Sequence, residues 1–216
     1  ALGIPEVDDT LPLGGLAPGA VHEWIGVTAP GESGPARRGW WSAPLAMLWH
    51  VALRVRGADV PRGCVWVGEA VWPLATHLAR AEALATSLCV RAPAPEERVW
   101  AADLALRSQA AGVVVADASG LDLASTRRLQ LAAEAGGGLC LLARPPAERG
   151  ELSAAMTRWM VSWCPSSFAT RRWTVELLRC KGMRPKAGAR GLWVLEQDRA
   201  TRRLGVAAYL ADGSDR

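Results

Sequence analysis

Eight consecutive residues, Gly26-Val27-Thr28-Ala29-Pro30-Gly31-Glu32-Ser33, carry the spacing of a phosphate-binding loop, G-x-x-x-x-G-K-[ST], at every defined position but one. In such a loop backbone amides cradle phosphate oxygens, the lysine reaches the terminal phosphates and the hydroxyl helps to hold a metal ion. Here the lysine position is Glu32. At ~4 Å and an effective dielectric near 20, each unit charge pair is worth about 4 kcal/mol, so the carboxylate repels what a lysine would attract. A working loop also passes straight into a helix whose N-terminal amides face the phosphates. In this chain Gly34-Pro35-Ala36-Arg37-Arg38-Gly39 intervenes, which puts loop and helix dipole out of register. Arg37 and Arg38 are the cations that could restore positive charge, from a Gly/Pro-rich segment.

Two carboxylates stand where metal-assisted phosphate chemistry would want them. Val113-Val114-Val115-Ala116 runs into Asp117, the form of an acidic residue that ends an apolar strand and helps to hold Mg²⁺. Glu69 follows the run Cys64–Val67 and stands where a water-activating carboxylate would. Carboxylates at strand ends are common; their combination with the loop gives them weight.

The elements that must position these residues are legible as four nearly continuous apolar runs, 20–25, 64–67, 112–116 and 139–143, which read as strands covered on both faces. Between them Leu45, Leu48, Trp49 and Ala52 fall at helical spacing. Glu96 and Glu97 open a second helix to about Gln109, and a third runs from about Asp122 to Ala135, stopped by Gly136-Gly137-Gly138. Strand–helix alternation of this kind gives an α/β fold, a mostly parallel central sheet with helices on both faces. After Trp159 the runs 173–180, 192–197 and 204–210 have no helices between them and predict an antiparallel extension of the same sheet. A single domain over residues 1–210 is expected, with a frayed tail at 211–216.

Composition sets limits on function. The chain has 216 residues, 50% hydrophobic and 21% charged, with a net charge of +4; this excludes a disordered chain, and no apolar run approaches the ~20 residues of a membrane-spanning helix. Nothing at the start points to export, so a cytoplasmic protein is expected. Of 25 basic residues only Lys181 and Lys186 are lysine. The cysteines, 64, 89, 140, 164 and 180, are widely spaced beside apolar residues, which predicts buried reduced thiols; His22, His50 and His77 lack any metal-binding context. No metal and no cofactor are expected. Of 11 tryptophans most must be core; the adjacent Trp40 and Trp41 sit in a Gly/Pro/Arg-rich stretch where tryptophan either pins the loop onto the domain or, since two adjacent side chains rarely bury on one face, serves a partner. Arg179, Lys181, Arg184, Lys186 and Arg190 are the residues through which the chain would contact nucleic acid.

The order of these features resembles the ATPase core of RecA. Leu13-Gly14-Gly15-Leu16-Ala17-Pro18-Gly19, followed by Val21-His22-Glu23, resembles the lead-in to RecA's phosphate loop. Cys64 to Glu69 resembles its second strand and catalytic glutamate, and Leu106-Arg107-Ser108 through Asp117-Ala118-Ser119 its metal-binding strand. Leu178-Arg179-Cys180-Lys181 resembles a segment whose lysines reach a neighbouring protomer's nucleotide. Arg144 lies where RecA's sensor glutamine would be, a departure like Glu32. Within that superfamily the chain resembles the ImuA family over roughly residues 11–197, through Ala105–Ser108, Arg127–Glu134 and Val175–Gly182.

The resemblance implies a RecA-like accessory protein of bacterial, SOS-induced mutagenic translesion DNA synthesis, cytoplasmic and nucleoid-associated when induced. Its implied partners are RecA, an ImuB-like inactive Y-family polymerase and an error-prone C-family polymerase, with DNA contact secondary. Gly26, Gly31, Glu32, Ser33, Glu69, Asp117 and Arg144 would then be a vestigial nucleotide site in a non-catalytic chain. Arg37, Arg38, Trp40, Trp41, Arg179 and Lys181 would be partner contacts, the last two projecting from one face of a strand. Two other readings stand beside it: a weak ATP-dependent, DNA-binding ATPase using Arg37 or Arg38, and a nucleic-acid binder working through the basic residues after Leu178.

Overall fold

A computed structural model describes residues 1–26, 41–55, 62–73, 85–182, 191–201 and 203–207. Its frame is one nine-stranded sheet. The strands are β1 (Val21–Ile25), β2 (Gly63–Val67), β3 (Ser87–Val90), β4 (Ala111–Asp117), β5 (Leu139–Arg144), β6 (Thr157–Cys164), β7 (Thr170–Cys180), β8 (Leu192–Asp198) and β9 (Leu204–Val206). Their order is β3-β2-β4-β5-β1-β6-β7-β8-β9. From β3 to β6 neighbouring strands run parallel; from β6 to β9 each pair is antiparallel. The α/β architecture with an antiparallel C-terminal extension is therefore as the sequence implies.

Helices cover both faces of the parallel half. The short α1 (Pro5–Asp8) and α2 (Leu45–Val55) lie on one side, where Met47, Leu48 and Val51 pack on Trp24, Trp66, Val115 and Leu141. On the other, α3 (Pro95–Arg107) and α4 (Leu123–Gly136) bring Ala102, Leu106, Leu129 and Ala133 onto Val21, Val114, Cys140 and Leu142. Alternate residues of β4 and β5 thus serve opposite cores, which is why these strands read as continuous apolar runs. The Asp122 carboxylate caps α4 by accepting from Ser125 N at 2.8 Å, and Gly137, at φ 68°, ends it.

Trp24 and Trp159 stack with ring centroids 5.3 Å apart, and Trp49 and Trp66 at 5.6 Å. Trp24, Trp49, Trp66, Trp159 and Trp173 are core, but Trp72, Trp100 and Trp163 are exposed, so fewer of the described tryptophans are buried than the sequence implies. The cysteines only partly match: Cys64 and Cys140 are buried, but Cys89 is exposed and Cys164 and Cys180 are half-buried. Cys89 departs because the short β3 lies at the sheet margin, paired on one side by β2. Among the described residues no helix is long and apolar enough to cross a membrane.

Two strands escape the sequence pattern. β3 is four residues long and half-exposed, so it lacks an apolar run. β6 contains Arg158, which breaks the run but is itself buried, because it lies opposite Glu23 of β1. The last predicted strand is seen over Leu204–Val206; residues 208–216 lie outside the described residues.

Candidate functional site

Parallel strands β1, β2, β4 and β5 all end on the same edge of the sheet, the edge where α/β folds bind ligands. Gly26, Glu69, Asp117 and Arg144 all lie at or just beyond the ends of these strands. Gly31, Glu32, Ser33, Arg37, Arg38 and Trp40 lie outside the described residues, as do Arg184, Lys186 and Arg190.

Asp117 has no open carboxylate oxygen. Its Oδ1 accepts from Ser119 N at 2.9 Å and Ser119 Oγ at 2.6 Å, while Oδ2 accepts from Arg98 Nη1 at 3.0 Å. Arg98 comes from α3 and also donates to Ser119 O at 2.6 Å. Both side chains are buried, 9% and 6% exposed for Arg98 and Asp117. Glu69 is turned outward, in an exposed ion pair with Arg91 Nε at 2.8 Å.

Arg144 is fully enclosed. Its Nε donates to Glu23 Oε1 at 3.0 Å, Nη1 to Glu148 Oε2 at 2.6 Å and Nη2 to Leu121 O at 2.8 Å. Glu23, also fully buried, accepts in addition from Ser153 Oγ at 2.6 Å and Arg158 Nε at 2.7 Å. The buried Arg144 and Arg158 are thus both hydrogen-bonded to the buried Glu23, as buried charge requires, and the partly exposed Glu148 supplies the second carboxylate. Beneath them, burial and then the Glu23 carboxylate push the Cys140 thiol far above its usual range.

The exit of β1 is closely packed. A Cβ added to Gly26 would lie 2.4 Å from Ser42 O and 2.6 Å from Trp41 Cε3. Trp41 is half-buried against the core, so it is less available to a partner than its Gly/Pro/Arg surroundings imply.

Arg179 and Lys181 do share one side, and both fold back onto the chain. Arg179 Nη2 donates to Ser153 O at 2.8 Å and Ala155 O at 2.9 Å; Lys181 Nζ donates to Ala154 O at 2.5 Å. Three successive carbonyls of the β5–β6 crossover are thus held by two cations. Burial, then Arg158, lowers the Arg179 pKa; burial, then Arg179 and Arg127, lowers that of Lys181. Cys180 faces the opposite way, onto the α2-side core.

His22, read in the sequence as incidental, sits in a closed relay at the start of β1. Its Nε2 donates to Ala17 O at 3.0 Å, which leaves Nδ1 to accept from Thr157 Oγ1 at 2.7 Å; Thr157 in turn accepts from Trp159 Nε1 at 2.7 Å. Burial lowers its pKa to about 4, against the smaller opposing effect of the Ala17 carbonyl.

Sequence reasoning missed Arg98, Arg158, Ser153 and Glu148. A signal existed for Arg98: it shares the four-residue spacing of Ala102 and Leu106, so it stands in the buried stripe of α3.

The sheet order, the helices on both faces and the convergence of Gly26, Asp117 and Arg144 at the carboxyl edge are consistent with a RecA-like core. Such a core implies ATP and Mg²⁺, and the described residues do not fit them: Asp117 is spent on Arg98 and Ser119, Arg144 on Glu23, and the exit of β1 is filled by Trp41 and Ser42. Among the described residues no group of three His, Cys, Asp or Glu side chains is placed to hold a metal ion. No family model matches the chain. It is similar to two curated relatives, Protein ImuA from Caulobacter vibrioides strains NA1000 / CB15N and ATCC 19089 / CIP 103742 / CB 15. Each is 32% identical over 219 aligned residues, covering 93% of this chain and 84% of the relative. The chain belongs to the ImuA family.

Proposed function

We propose that this chain is a non-catalytic RecA-like accessory protein of damage-induced mutagenic translesion DNA synthesis in a bacterial cytoplasm. It acts through protein contacts with RecA and with an ImuB-like inactive Y-family polymerase and its error-prone C-family partner. The observation that carries this reading is the fate of Asp117. The carboxylate that a RecA-like ATPase would turn toward a metal ion is committed to a buried arginine and a local turn. Glu32 in the lysine position of a degenerate phosphate loop and Arg144 in place of a sensor glutamine support it. The partner contacts are drawn from Arg37, Arg38, Trp40 and Trp41, together with Arg179 and Lys181 at the end of β7. DNA contact through Arg184, Lys186 and Arg190 is secondary.

The test is equilibrium binding of ATP–Mg²⁺ at up to millimolar concentration, with phosphate release measured in parallel. Neither binding nor turnover is expected, while immobilised protein retains RecA and the ImuB-like partner from damaged cells. Nucleotide binding that disappears in Asp117→Asn would overturn the reading in favour of a weak ATPase.

A further inference from the structure

At the end of β4 the chain supplies its own cation. The Arg98 guanidinium reaches Asp117 Oδ2 from α3, while the Ser119 amide and hydroxyl occupy Oδ1. A divalent ion demands open oxygen ligands and keeps several waters about it; here both carboxylate oxygens already accept hydrogen bonds and the side chain is 6% exposed. The closure is tight from a third side as well. Gly68, just after β2, has φ 110°, and a Cβ there would lie 2.7 Å from Asp117 Cβ and 3.2 Å from Arg98 Cδ. Arg98 Nε is buried and makes no hydrogen bond. The guanidinium is thus seated for Asp117 and Ser119 rather than for complete satisfaction of its own donors, a cost that buried polar groups avoid unless something else fixes their position.

We propose that Arg98 is a built-in counter-ion that takes the place of a divalent cation at Asp117 and closes the carboxyl edge of β4 to metal–nucleotide. The proposal rests on the reading of this core as non-hydrolytic and supplies its mechanism of exclusion. A solution ion could enter only by expelling a desolvated guanidinium from its one carboxylate partner, and breaking a buried pair in that way is strongly unfavourable.

The experiment uses the full chain, wild type and Arg98→Gln, titrated with Mn²⁺ and read by loss of the free-ion electron paramagnetic resonance signal. Melting is followed in parallel with and without Mg²⁺. Glutamine keeps a polar side chain on α3 and removes the charge. Wild type should show no Mn²⁺ site and no Mg²⁺ effect on melting. Arg98→Gln should bind Mn²⁺ at least about tenfold more tightly than wild type and melt higher in Mg²⁺, and both gains should vanish when Asp117→Asn is added. A folded Arg98→Gln protein with no gain in Mn²⁺ binding overturns the counter-ion assignment alone. Wild-type binding of ATP–Mg²⁺ overturns the non-hydrolytic reading beneath it. Should Arg98→Gln fold poorly, the double variant decides: it should be more stable than Asp117→Asn by itself, since the orphaned guanidinium is gone. A double variant no more stable than Asp117→Asn overturns the proposal.

Discussion

Protonating His22 requires breaking the relay that holds it, so the fold should lose stability in mild acid by a calculable amount. The folded-state pKa of about 4 lies below the ordinary 6.5, so the unfolded chain takes up a proton first. Stability from this group is present above pH 6.5 and falls as pH drops through the window from 6.5 to 4, below which the loss levels off. Each unit of displacement is worth ~1.4 kcal/mol. Summed over the protonation of both states, the loss between pH 7 and pH 5 is about 2 kcal/mol. For a chain of this length that corresponds to roughly 4–8 °C in Tm. His50, whose pKa is lowered chiefly by burial, pulls in the same direction, so the comparison must isolate His22. His22→Gln retains an acceptor for Thr157 and a donor for Ala17 O but cannot titrate. Urea unfolding of both proteins from pH 7.5 to 4.5 should give curves that converge on acidification, the wild type losing about 2 kcal/mol more by pH 5. Parallel curves would refute the assignment of a neutral, buried imidazole.

Other perturbations follow from the same contacts. Glu23→Gln leaves Arg144 and Arg158 without their shared carboxylate and should cost about 3–5 kcal/mol in denaturant unfolding, whereas a loss under 1 kcal/mol would show the charges to be solvated. Gly68→Ala must adopt a positive φ and collide with Asp117 Cβ, and should cost more than the ~1–3 kcal/mol of the backbone strain alone; an unchanged midpoint would refute the closure at β4. A thiol reagent under native conditions should label Cys89 rapidly and Cys164 and Cys180 slowly, with Cys64 and Cys140 reacting only on unfolding. Arg179→Ala with Lys181→Ala releases the carbonyls of residues 153–155 and should speed amide exchange in the β5–β6 crossover, an effect absent if the two cations serve only an external partner.

Much of the fold was legible because its strands are buried on both faces. Runs such as Val113–Ala116 and Leu139–Ala143 need no partner information to be read. β6 needed it: Arg158 looks like a solvated residue until Glu23, 135 positions away in sequence, is placed beside it. The same holds for the site. Gly26, Asp117 and Arg144 could be placed because each ends an apolar run, and position along a strand is a local property. That Asp117 answers to Arg98, or Arg144 to Glu23, depends on pairings across 19 and 121 residues, and charge alone does not say which of 23 arginines closes which carboxylate. His22 was missed for a related reason: a histidine held by a backbone carbonyl and a threonine hydroxyl carries no motif.

The buried charge network also limits which neighbouring sequences evolution can reach from this one. A single change of Glu32 to lysine would leave Asp117 held by Arg98 and Arg144 held by Glu23, so it restores nothing by itself. Removing Arg98 alone strands the buried Asp117 carboxylate, at about 3–5 kcal/mol, against a total folding stability that in most domains is only ~5–15 kcal/mol, whereas Glu23 without Arg144 keeps Arg158 and Ser153. Paired substitutions avoid that penalty, but they must arise together or after other changes have raised stability. The network thus acts as a ratchet: separating a buried carboxylate from its arginine passes through a less stable intermediate, while drift of the surface around it stays free.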